Sequence, residues 1–167
     1  MKKVHLTLII IVFLLLCANG IQAQTTQTKL NQIELHKQFL GNWKCELGKD
    51  TSCVIEVIPF GSGIEITRKF ITKGNIFDTW KELSGYDKKN DKFLGAQLKK
   101  SSTPVYLTVS WFTSINICES VSFKDLSDPD KATVKWTWEL KTPEIATMTT
   151  TRNNMVVSTI QYTRIKQ

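Results

Sequence analysis

From Gly41 onward the chain alternates apolar with polar residues at a period of two, and turn-forming clusters break the alternation at spacings of roughly 8–12 residues. Period two sends successive side chains to opposite faces of an extended strand. The clearest run sets Val134, Trp136, Trp138 and Leu140 against Lys135, Thr137, Glu139 and Lys141, and Pro143 marks its end. No helical periodicity interrupts this part of the chain for long enough to bury a helix face, so the pattern confines it to an all-β meander.

The first strand spans 42–47, where Trp43, Cys45 and Leu47 share a face; the Gly48-Lys49-Asp50 turn leads to a second strand over 52–58. Pro59-Phe60-Gly61-Ser62-Gly63 is expected to end that strand. Further strands are expected over 64–72, 76–86, 92–99, 105–112, 115–123, 134–141, 145–152 and 155–166, with 92–99 edge-like or solvent-facing. Asn153-Asn154 between the last two tolerates positive φ and suits a tight hairpin. About ten strands in sequence-adjacent order, each with an apolar face, hide their edges most simply by closing into an up-and-down antiparallel β-barrel. A two-sheet sandwich is the alternative, but the short links disfavour crossovers between sheets.

The chain has 167 residues, including five Trp and eight Phe, enough for the core of one domain. Its first 23 residues read as a secretory signal peptide: Lys2 and Lys3, an apolar run over 8–16, then small residues up to Ala23. Cys17 raises a lipid-anchor alternative, in which a small residue should precede the cysteine; Leu16 stands there. Residues 24–28 form a polar tail expected to be disordered, and 29–167 form the barrel domain, with no later segment apolar enough for stable membrane insertion. A short helix is expected where Asn31 and Glu34 make a capping box and Leu30 and Leu35 a hydrophobic staple.

The formal charge of +7 falls to +5 without Lys2 and Lys3, and the basic residues are scattered, which argues against nucleic-acid binding. His36, the one histidine after the leader, has no second histidine or ligand-spaced cysteine pair to make a metal or haem site, and no cofactor is implied. No nucleophile motif or phosphate loop is visible, so an enzyme is not expected; Asp78 and Glu82 share a strand face and read as solvated carboxylates. Cys45 and Cys53 are placed to face each other across the first hairpin and are candidates for a disulfide, which leaves Cys118 over.

Two charges stand on otherwise apolar faces: Arg68 among Ile64, Ile66 and Phe70, and Glu119 among Ile117, Val121 and Phe123. Inside a barrel each needs a partner, since an unpaired buried charge is costly. They pair with each other or lie near a wet rim, or Arg68 receives a ligand carboxylate in a lumen lined by Trp111, Trp136 and Trp138.

Leu40-Gly41-Asn42-Trp43 at the start, Ser84-Gly85-Tyr86-Asp87-Lys88-Lys89-Asn90-Asp91-Lys92-Phe93 in the middle and Ile160-Gln161-Tyr162-Thr163-Arg164 at the end together resemble a bacterial family of uncharacterised lipocalin-like proteins of the calycin type. The resemblance spans nearly all of the chain after the leader. It implies that Trp43 lies near the barrel floor and is covered by Arg164 from the last strand, and it implies at most a small apolar ligand. A guanidinium over an indole face also closes a barrel end on physical grounds, gaining about 0.5–2 kcal/mol. The expectation is therefore a secreted or periplasmic, non-enzymatic barrel that binds a small, largely apolar or amphipathic acidic molecule. The alternative is a filled barrel with a structural or interaction role.

Overall fold

Ten antiparallel strands close on themselves in the order β1-β10-β9-β8-β7-β6-β5-β4-β3-β2, so every neighbour in space is a neighbour in sequence except at the seam. The computed structural model describes residues 29–166; the leader, Cys17 and the 24–28 tail lie outside the described residues. The strands are β1 (Gly41–Gly48), β2 (Thr51–Phe60), β3 (Gly63–Thr72), β4 (Asn75–Asp87), β5 (Lys92–Lys99), β6 (Tyr106–Phe112), β7 (Ile117–Ser122), β8 (Val134–Thr142), β9 (Ile145–Arg152) and β10 (Met155–Ile165). Closure leaves no free edge, which answers the edge problem set by so many half-apolar strands. The seam is β1 against β10, with Asn42, Trp43 and Lys44 opposite Ile165, Arg164 and Thr163.

Two expectations about strands are corrected. β2 does not end at Pro59: it runs to Phe60, with Pro59 opposite Ile64 and Phe60 opposite Gly63. β5 is not an edge but lies between β4 and β6, paired to both. The last hairpin turns as expected, with Asn153 and Asn154 at φ +50° and +63°, the left-handed pair that a two-residue hairpin loop demands.

Directly paired residues share a sheet face, so the register separates inside from outside. Trp43, Ile55, Arg68 and Trp80 form one inward row, and Phe112, Cys118, Trp138, Met148 and Ile160 form another. The main core gathers Trp43, Cys45, Cys53, Ile55, Val57, Ile64, Phe112, Leu140 and Tyr162 inside. A second, smaller core lies on the outer face, where Val109 and Val121 are fully buried beneath Leu126 and Ala132 of the β7–β8 connection.

One end of the barrel is plugged by the helix α1 (Gln32–His36) and the 3-10 turn Lys37–Phe39 that follows it. Asn31 caps α1 by accepting from the Glu34 N–H at 3.2 Å, and Leu30 and Leu35 pack on the core as the staple pattern requires. The Glu34 carboxylate turns to Lys37 at 2.7 Å. The β1–β2, β3–β4, β5–β6, β7–β8 and β9–β10 connections ring the opposite end, called the mouth below.

Candidate ligand-binding site

The floor of the barrel is built by side chains that tie the plug to strand ends. Gln32 is buried and makes a two-way amide contact with β6: its Nε2 donates to the Phe112 carbonyl at 3.0 Å and its Oε1 accepts from the Phe112 N–H at 2.7 Å. It thereby satisfies the backbone at the end of β6 as another strand would. Trp43 donates from Nε1 to the Phe39 carbonyl at 2.9 Å. Arg164 stacks on the Trp43 ring at 4.1 Å and donates to the Gln38 carbonyl at 2.8 Å, the Pro143 carbonyl at 2.7 Å and the Leu40 carbonyl. One guanidinium thus fastens the plug, the β8–β9 turn and the seam. Gly41 has φ +113°, and a Cβ there would stand 2.7 Å from an Arg164 nitrogen, which accounts for the glycine two residues before the Trp.

Toward the mouth the inward side chains change in kind. Arg68 on β3 pairs with Glu82 on β4 at 2.9 Å, and Gln97 on β5 donates to the same Glu82 oxygen at 3.3 Å. Gly95 makes room for this carboxylate: a Cβ there would come within 2.7 Å of Glu82 Oε1. Nearer the mouth, Trp80 donates to Asp78 at 2.6 Å, Ser101 donates to the same oxygen at 2.8 Å, and the Lys99 ammonium lies 3.8 Å from the Trp80 ring and 4.7 Å from that of Tyr106. Desolvation pulls the Asp78 carboxyl upward, but the hydrogen bonds from Trp80, Ser101 and the Thr79 N–H outweigh it and hold the group below its ordinary value.

Across the lumen, Trp136 and Trp138 on β8 face inward beside Met148 and Ile160. Trp138 packs on Tyr162 at 4.9 Å and edge-on to Phe39 at 5.9 Å, so it belongs to the upper surface of the floor, whereas Trp136 stands one step nearer the mouth. Floor residues such as Trp43, Ile55 and Phe112 are 2–4% exposed, while Arg68, Glu82, Gln97, Ser110, Ser120 and Trp136, all inward, are half-buried. Inward side chains in the mouth half therefore border accessible space.

Of the residues expected to line a site, Arg68, Trp136 and Trp138 face the lumen and Trp111 and Glu119 do not. Trp111 and Glu119 are opposite each other on the outer face, the same face as Val109 and Val121. Glu119 pairs there with Lys135 at 3.4 Å, and the Lys92 ammonium covers the Trp111 ring at 3.5 Å. The partner of Arg68 is accordingly Glu82, not Glu119, and Glu82 is not a solvated surface carboxylate. Its place among Trp80, Ser84 and Tyr86 on one strand face is the signal that could have revealed it.

Cys45 and Cys53 are directly opposite on β1 and β2, buried, and present as free thiols. The Cys53 thiol hydrogen-bonds to Cys45 and holds the Cys45 thiol below its ordinary pKa, while the same contact and burial push Cys53 up. Cys118 is buried apart from them, and desolvation pushes it up to about 12. Among the described residues no group of three or more His, Cys, Asp or Glu side chains is placed to hold a metal ion.

No protein-family model and no curated protein matches this chain. A closed ten-stranded antiparallel barrel with a helical plug is compatible with a lipocalin-like fold.

Proposed function

We propose that this protein is an exported, lipocalin-like binding module whose lumen takes one small amphipathic molecule. Its apolar body lies along Trp136, Trp138, Met148 and Ile160, and its polar head reaches Arg68, Glu82 and Gln97. The observation that carries this reading is the contrast between a sealed apolar floor and inward aromatic and polar side chains that stay half-buried toward the mouth. A filled scaffold would close these side chains on one another across the axis.

The Arg68–Glu82 pair refines the head group. Arg68 gives one nitrogen to Glu82 and keeps further N–H donors, so a carboxylate or carbonyl oxygen on the ligand still has a donor to meet. Glu82 offsets the positive charge, so the preference for an acid over the matching neutral amide should be small. Titrating a fluorescent fatty-acid analogue and its amide, read by the emission of the probe and by Trp quenching, tests this. Binding of both, weakened about ten- to a hundredfold when Arg68→Met and Glu82→Met are combined, is expected. Undiminished binding by that double variant would move the site elsewhere, and no binding of either probe to the wild type would favour the filled scaffold.

A further inference from the structure

The mouth carries a second kind of surface, separate from the lumen. Three connections are adjacent around the rim, β9–β10, β1–β2 and β3–β4, and the first and last of them lead into strand ends with exposed large apolar side chains: Met155, Val156 and Val157 are 67%, 65% and 55% exposed, and Ile76 and Phe77 are 56% and 61% exposed, Phe77 with only its inner side toward the Phe70 ring at 6.2 Å. Two of these connections are joined, since the Lys73 N–H donates to the Asp50 carbonyl at 2.9 Å. Register irregularities fall between Val156 and Ser158 and between Phe70 and Ile71, leaving Val157 and Phe77 outside the ladder pairing on their strands.

The charges on this crescent have one prevailing sign. Lys49, Lys73 and Arg152 are exposed on the three turns, and none has a carboxylate partner within 4.0 Å among the described residues; Asp50 is the one acid there. Of the other acids toward the mouth, Asp125, Asp128 and Asp130 are on the β7–β8 connection, on the far side of the rim, Asp78 is turned inward and held by Trp80 and Ser101, and Glu46 is paired with Lys44. A second copy seated crescent to crescent would bring these cations together, so charge disfavours self-association.

We propose that the crescent is a docking edge for an anionic lipid surface, with the apolar tips entering the headgroup boundary and Lys49, Lys73 and Arg152 meeting lipid phosphates. Exposed apolar side chains beside unpaired cations suit shallow insertion, the combination of apolar area and positive charge on which interfacial anchors depend. Docking in this orientation turns the mouth toward the membrane. The contact itself needs no ligand in the lumen, so it stands or falls separately from the binding reading.

Co-sedimentation of the mature protein, without added ligand, with vesicles of phosphatidylglycerol and phosphatidylcholine or of phosphatidylcholine alone tests the edge. The wild type should pellet with the anionic vesicles and far less with the neutral ones. Combining Phe77→Ser with Val156→Ser should weaken anionic binding about tenfold or more. Combining Lys49→Gln, Lys73→Gln and Arg152→Gln should weaken it about a hundredfold, at roughly fivefold per charge. All five positions are exposed, and unchanged circular dichroism confirms that the variants fold. Equal pelleting of the wild type with both vesicles, pelleting with neither, or variants that bind as wild type would overturn the proposal. Vesicle-free self-association lost in the Phe77→Ser and Val156→Ser variant would assign the crescent to a second copy instead.

Discussion

Arg164 and Trp43 are directly opposite across the seam strands, and the guanidinium carbon lies 4.1 Å from the indole centroid. The contact joins the two chain ends of the barrel, and the same guanidinium anchors the carbonyls of Gln38, Leu40 and Pro143. Stacking alone contributes about 0.5–2 kcal/mol, and each hydrogen bond to a charged group adds to it.

Arg164→Ala should therefore lower stability by about 2–4 kcal/mol, more than loss of the stacking contact alone. Arg164→Lys should recover only a small part, because an ammonium on a flexible stem cannot reach three divergent carbonyls in one plane. Urea unfolding followed by far-ultraviolet circular dichroism measures both, with native strand content preserved. Wild-type stability in Arg164→Ala would remove the latch from the account.

His36 is 6% exposed and stacks on Phe93 at 3.7 Å, with Phe39 edge-on at 5.9 Å. Burial among these rings lowers its pKa from 6.5 to about 4. The unfolded chain thus binds the extra proton first as pH falls. Stability from this group is complete above about pH 6.5 and is lost progressively down to about pH 4, a loss on the order of 3 kcal/mol. Urea midpoints across that range should fall for the wild type and stay flatter for His36→Phe. Parallel pH profiles would show that His36 titrates normally.

The free Cys45 and Cys53 thiols are in register and in contact, so a thiol oxidant should close them into a bridge: the Cys45 thiolate adds to the oxidant, and the Cys53 sulfur then attacks that adduct, releasing its proton and the reduced oxidant. Intact mass after diamide treatment should show the loss of two hydrogens in the wild type and in Cys118→Ser, and no such loss in Cys45→Ser. Oxidation that requires Cys118 would contradict this pairing.

The strand series, the closed barrel and the capped helix were legible in the sequence, because each follows from a local period or a capping pattern, whereas the facing of Trp43 and Arg164 was implied by the resemblance of the two chain ends to lipocalin-like proteins. The inward side of β6 and β7 was not. Both faces of these strands carry apolar residues, and the loop with Leu126 and Ala132 covers Val109 and Val121 on the outside. An outer face partly covered by a loop carries the same apolar alternation as a lumen face, so periodicity alone puts Trp111 and Glu119 inside. Glu82 reads as a solvated carboxylate, and Gln32 carries no signal at all, for a different reason. Their partners, Arg68 and the backbone of Phe112, are supplied by other elements, and register across the sheet is needed to find them.

Whether the lumen holds a ligand is the centre of the account. Native mass spectrometry of the exported protein, as isolated and after incubation with a mixed set of amphipathic acids and amides, tests it most directly. The account predicts one added small molecule per chain, reduced in the Arg68→Met and Glu82→Met double variant and in Trp136→Ala. Bare chain alone in every sample would contradict it.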